Sequence, residues 1–134
     1  MNRIIYTQPD GTVAIIVPAG DVNDCIKDVP AGVDYEIVDD SEIPSDRTFR
    51  NAWKRNGKAV ETDIPKAKEI VHEKRRVKRS EEFAPLDVEA TIPAKAAQAE
   101  AAREAVRQKY EKIQNDIDAA ANEAELKQIM EQLV

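Results

Sequence analysis

The sequence predicts an α+β fold: a small N-terminal β-hairpin and strand unit with a short helix, followed by a C-terminal helical hairpin or bundle. Three observations carry this. Short β-branched runs separated by turn residues fill the chain up to about residue 62. At Asp63-Ile64-Pro65 the apolar spacing switches from alternation to steps of three and four. Alanine is then concentrated between Ala94 and Ala124, where it favours helices and close helix contacts. The expected division is a small α+β domain over 1–62 and a helical region over 63–134.

Arg3 to Thr7 and Thr12 to Val17 are rich in β-formers, and Gln8-Pro9-Asp10-Gly11 between them is a turn, so the chain opens on a hairpin. Pro18-Ala19-Gly20 breaks it. Asp21 then caps a short helix through about Lys27, with Val22, Cys25 and Ile26 on one face. Alternation of Val33, Tyr35 and Ile37 predicts a third strand with that face buried. Asp39 to Asp46 is a polar loop containing Pro44. Thr48 to Trp53 reads either as a strand or as a single helical turn around Phe49-Arg50-Asn51-Ala52-Trp53. Asn56-Gly57 is the strongest hairpin turn, with Lys58 to Glu61 returning.

Asp63 as cap and Pro65 in the first turn open a helix whose apolar positions Ala67, Ile70, Val71 and Val77 run toward Arg79. Phe83-Ala84-Pro85-Leu86-Asp87 is expected to interrupt it. Thr91-Ile92-Pro93 opens a second helix, with Ala99, Ala102, Val106, Tyr110, Ile113 and Ile117 forming an amphipathic stripe. Asn122 with Glu125 suggests a capping box for a last helix striped by Leu126, Ile129, Met130 and Leu133.

With 134 residues and few aromatics (Trp53, three tyrosines, two phenylalanines), the chain has a thin core, so part of its stability is expected from association, as a homo-oligomer or within a larger assembly. A net charge of −6 with interspersed signs disfavours generic nucleic-acid binding and anionic membrane surfaces. No apolar run reaches the roughly 20 residues of a membrane span. The N-terminal residues do not form a signal peptide, and a lone Cys25 excludes an intrachain disulfide. A soluble chain made in a cytoplasm is expected.

No catalytic, metal or cofactor constellation emerges. His72, the single histidine, lies mid-helix between Glu69 and Glu73 with no nucleophile or second metal ligand nearby. Cys25 is flanked by Asp24 and Asp28, the wrong field for a reactive thiol. The acids from Asp39 to Asp46 lack calcium-loop spacing. The basic run Lys74-Arg75-Arg76 with Lys78 and Arg79 admits three readings: a solvated face, a surface for an acidic partner protein, or a nucleic-acid patch diluted by Glu69, Glu73, Glu81 and Glu82. The run spreads around the helix and leaves Val71 and Val77 to pack. Phe49 and Trp53 either anchor the α+β core, the favoured reading, or form an interface hot spot.

The succession Ile43-Pro44-Ser45-Asp46-Arg47-Thr48-Phe49-Arg50-Asn51-Ala52-Trp53, then Asp63-Ile64-Pro65-Lys66-Ala67-Lys68-Glu69-Ile70, then Lys74-Arg75-Arg76, Arg79 and Leu86-Asp87-Val88, resembles small virion and tail-module proteins of tailed bacteriophages and prophages. The likeness covers roughly residues 33 to 134. It implies a phage protein, either a virion component carried in the tail or a tail assembly factor, made in the host cytoplasm, with other virion proteins as partners and no catalytic residues to carry over. It also implies that Asp46, Arg47, Phe49, Arg50 and Trp53 lock a loop onto the core or mark a docking surface. One arrangement pairs Asp46 with Arg47 or Arg50 beside the Trp53 ring. The candidate interface residues are therefore these five, Lys74, Arg75 and Arg76, and Val106, Tyr110 and Ile113. A tail structural component is the first expectation, a tail or fibre assembly chaperone the second, and a nucleic-acid-binding regulator the third.

Overall fold

A computed structural model describes all 134 residues and shows an α+β protein. The strands are β1 (Asn2–Thr7), β2 (Val13–Ile16), β3 (Tyr35–Asp39), β4 (Trp53–Asn56) and β5 (Ala59–Thr62). The helices are α1 (Ile64–Glu89), α2 (Ala96–Ala119) and α3 (Glu123–Gln132). The chain divides into two compact units, Met1–Lys66 and Ala67–Val134.

In the first unit, β2, β1 and β3 form an antiparallel sheet in that order, with Ile5 opposite both Ile15 and Glu36. The β1–β2 loop is closed by the Gln8 amide donating to the Thr12 carbonyl at 2.8 Å and by Asp10 Oδ1, which accepts from the Thr12 amide at 3.0 Å. Asp21 caps the next segment as expected, accepting from the Asn23 amide at 2.9 Å, but Val22–Asp28 is a 3₁₀ helix lying against β1.

The β4–β5 hairpin packs on the sheet face that carries Ile5, Val13 and Val38, and these form a core cluster with Trp53 and Val60. This corrects the expected face of β3. Val38 is buried, whereas Tyr35 and Ile37 are half-buried on the side of Ile4. Of the two readings of Thr48 to Trp53 the helical turn holds, with Arg50–Ala52 as a 3₁₀ turn, and the strand begins only at Trp53, from which the hairpin follows. Asn56 pairs with Ala59, so the loop is Gly57-Lys58 rather than Asn56-Gly57. Gly57 alone takes positive φ (62°), as the first position of a type II′ loop demands.

In the second unit the helical stripes bury Ala67 and Val71 of α1, Ala99, Tyr110, Ile113 and Ile117 of α2, and Leu126, Ile129 and Leu133 at the C-terminus. Val77 does not pack: it is 47% exposed. The expected break at 83–87 is also absent, for α1 continues through Pro85 to Glu89. Proline removes one helical hydrogen bond and crowds the preceding turn. Here side chains on both sides of it are tied to α2, by Lys109 Nζ to Glu82 at 2.7 Å and by Arg103 to Asp87 at 3.1 Å. α2 begins at Ala96, a turn later than Pro93 suggested. The α3 cap forms with one change. Asn122 Oδ1 accepts from the Glu125 amide at 3.0 Å, while the Glu125 carboxylate reaches back to the Ala121 amide at 2.6 Å.

Candidate functional site

The cross-pairs of α1 and α2 define an antiparallel hairpin. Lys68 Nζ donates to the Asp118 carbonyl at 2.9 Å, Arg75 donates to Gln114 Oε1 at 3.3 Å, Lys109 meets Glu82, and Arg103 meets Asp87. Long polar side chains thus bridge the two helices, and an open groove of about 730 Å³ lies between them. On the α1 wall, Arg75, Arg79, Phe83 and Asp87 recur at four-residue steps, which places them on one stripe, with Arg76 beside it. Arg103, Arg107 and Gln114 line the α2 wall. Five guanidinium groups therefore converge on one surface with a single carboxylate among the lining residues.

Most of this charge is already committed. Arg107 bonds Glu104 at 2.7 Å and Glu100 at 3.0 Å, and Arg103 bonds Glu100 at 3.1 Å. These contacts raise the Arg107 guanidinium and hold the Glu100 carboxyl below its ordinary range. Arg103 Nε lies 3.1 Å from Asp87, close enough for attraction but too bent for a hydrogen bond, so that N–H is buried without an acceptor. Arg76 pairs with Glu73 at 3.2 Å.

Arg75 and Arg79 differ. Arg79 is exposed and lies over the Phe83 ring, 4.6 Å from its centroid, a cation–π contact that leaves its N–H groups available. Arg75 is buried and donates from Nε to His72 Nδ1 at 3.3 Å. Burial, and then the neighbouring charges of Arg76 and Arg79, push the Arg75 guanidinium down; Asp118 opposes them. Neither Arg75 nor Arg79 has a carboxylate ion-pair partner.

His72 is part of the same network. Arg75 Nε is able only to donate, so Nδ1 accepts and the ring proton sits on Nε2, which lies 2.8 Å from Asp118 Oδ1. Nε2 thus joins α1 to α2, while Nδ1 holds Arg75 on its own helix. No group of three or more His, Cys, Asp and Glu side chains is placed to hold a metal ion, and no helix is long and apolar enough to cross a membrane.

No family model, curated protein or solved structure matches the chain. The site accordingly rests on its own geometry.

The structure distributes the sequence-selected residues over both units. Phe49 and Trp53 are buried in the first unit, Trp53 within its core cluster. Asp46, Arg47 and Arg50 are exposed, and Asp46 Oδ1 accepts from the Thr48 amide at 2.9 Å and the Thr48 hydroxyl at 2.6 Å, a local turn cap. In the second unit Tyr110 and Ile113 are buried and Val106 is half-buried. Of the basic run, Lys74 is half-buried and lies outside the groove lining, while Arg75 and Arg76 enter it with Arg79. Arg103, Arg107 and Phe83 were not selected from sequence. For Phe83 the available signal is the four-residue stripe from Arg75 to Asp87, masked by the expected break at Pro85, whereas Arg103 and Arg107 lie on α2 outside that stripe.

Proposed function

We propose that this protein is a non-enzymatic structural component of a tailed-phage virion, tail-associated, acting through protein–protein contacts with the α1–α2 groove as a docking surface. The observation that carries this reading is the pair Arg75 and Arg79: two guanidiniums without carboxylates in an otherwise ion-paired groove. Such a site recognises carboxylates presented by another chain, because planar guanidinium forks match them and desolvated charge pairs fix orientation. The order of motifs from Ile43 to Val88 supports the phage assignment. His72 supports a non-enzymatic role, since both its nitrogens are engaged, one across the helix pair with Asp118 and one with Arg75 on its own helix.

A nucleic-acid regulator is less well supported. Arg76 and Lys78 of the basic run, and Arg103 and Arg107 across the groove, are each paired with an acid, so the positive surface offered to phosphates is interrupted. The assembly-chaperone reading uses the same groove reversibly. Mass spectrometry of gradient-purified particles of the encoding phage separates them. A copy number fixed by particle symmetry supports the structural component. Presence in infected lysate with absence from washed particles overturns it in favour of the chaperone.

A further inference from the structure

We propose that the α1–α2 groove is occupied by the acidic segment 21–46 of a second copy of this chain, so that copies join head to tail. The inference rests on the reading of the groove as a protein-docking surface and names its occupant.

The receiving site needs carboxylates. Arg75 and Arg79 hold none, and the guanidinium of Arg75 is disfavoured where it lies, by burial and by the charges of Arg76 and Arg79. An incoming carboxylate relieves that repulsion and leaves the existing pairs of Arg103 and Arg107 in place. The chain itself carries the complementary surface. Residues 21–46 contain nine acids and one base, Lys27. Several of these acids are committed: Asp34 to Arg55, and Asp39 and Asp40 to the N-terminal ammonium and Arg3. Asp24, Asp28 and Glu42 are exposed and have no basic partner.

A polyanion fits less well. A nucleic-acid backbone running along the groove would meet Glu73, Asp87, Glu100 and Glu104 as well as the arginines, whereas a few discrete carboxylates need only reach Arg75 and Arg79. The acidic segment belongs to the first unit and the groove to the second, so the two surfaces of the interface differ. Such a heterologous contact repeats from copy to copy, and it closes into a ring or continues as a filament.

Sedimentation velocity of the full chain over a wide concentration range tests this. At about 0.1 M salt the mass should grow with concentration beyond a dimer. Association should weaken about tenfold or more near 1 M, as the Debye length falls from roughly 10 Å to roughly 3 Å. Arg79→Ala, at an exposed residue, and the triple variant Asp24→Asn, Asp28→Asn, Glu42→Gln should each stay monomeric. Mixed in equal amounts, they should form a dimer of one of each and stop there, since only one good interface remains.

A wild-type chain that is monomeric at every concentration overturns the inference, as does an assembly indifferent to salt and to both variants. A mixture that fails to dimerise does the same. So does a monomer that retains a single-stranded oligonucleotide and loses it on Arg79→Ala, which would assign the groove to nucleic acid. A chain found at fixed copy number in particles yet monomeric in solution removes this inference alone. Absence from particles with intact self-association removes the virion reading alone.

Discussion

Replacing Trp53 by phenylalanine tests how the first unit is held together. Trp53 is 1% exposed and packs with Ile5, Val13, Val38 and Val60, yet its indole Nε1 is buried with no acceptor. Two opposing effects follow. Phenylalanine gives up roughly 40 Å² of buried surface, about 1 kcal/mol, and leaves a small void worth about another 1 kcal/mol. It also deletes an unsatisfied donor, whose burial is unfavourable by about 1–3 kcal/mol. Trp53→Phe should therefore lie within about 1 kcal/mol of the wild type, while Trp53→Ala, which empties the site, should lose about 3–5 kcal/mol. Native-state amide exchange in β1 and β3 reads the stability of this unit directly. A loss above about 2 kcal/mol for Trp53→Phe would refute the reasoning, because it would mean the indole N–H makes a favourable bond.

Two further predictions concern the helices and the surface charges. Pro85→Ala should stabilise α1 by about 1–3 kcal/mol, since alanine restores the amide that proline lacks and relieves its crowding of the preceding turn; a lower melting midpoint by far-ultraviolet dichroism would show that the helix depends on a bend there. The carboxyls of Asp10, Asp39 and Glu100 are held below their ordinary values by hydrogen bonds from Thr12, Ser41 and Arg107 respectively. Because the folded values are depressed, their stabilisation is complete above the unfolded values near about pH 4 and is lost as pH falls through the depressed range. Urea midpoints should be level above about pH 5 and decline below about pH 4, modestly because these groups are exposed. A midpoint that holds or rises on acidification to about pH 3 contradicts this.

Much of the fold was legible because local chemistry decided it. Asp21, Asp63 and Asn122 cap their segments as their types and positions suggest, and the chain reverses at Gln8–Thr12 and at Gly57. Decisions made by long-range packing were less legible. Alternation in β3 fixed two faces but not which one meets the hairpin, and the arrival of Trp53 over Ile5 settled it for Val38. Pro85 carries a strong local signal for a break, yet α1 runs through it, and its flanks meet Lys109 and Arg103, residues distant in sequence. The groove was hidden for the same reason. The basic run marks Arg75 in the sequence, but Arg103 is unremarkable on its separate helix, and the two become one site only when the antiparallel register brings them together.

Trp53 is also the sole tryptophan of the chain, and it is sealed inside the first unit. All indole fluorescence therefore comes from that unit, from a ring shielded from solvent and from collisional quenchers. The peptide dichroism of the protein is dominated instead by α1 and α2, which lie almost wholly in the second unit. The chain thus carries one optical reporter for each unit without any label. A single denaturant titration watched at both signals reads directly whether the two units unfold as one cooperative body or in succession.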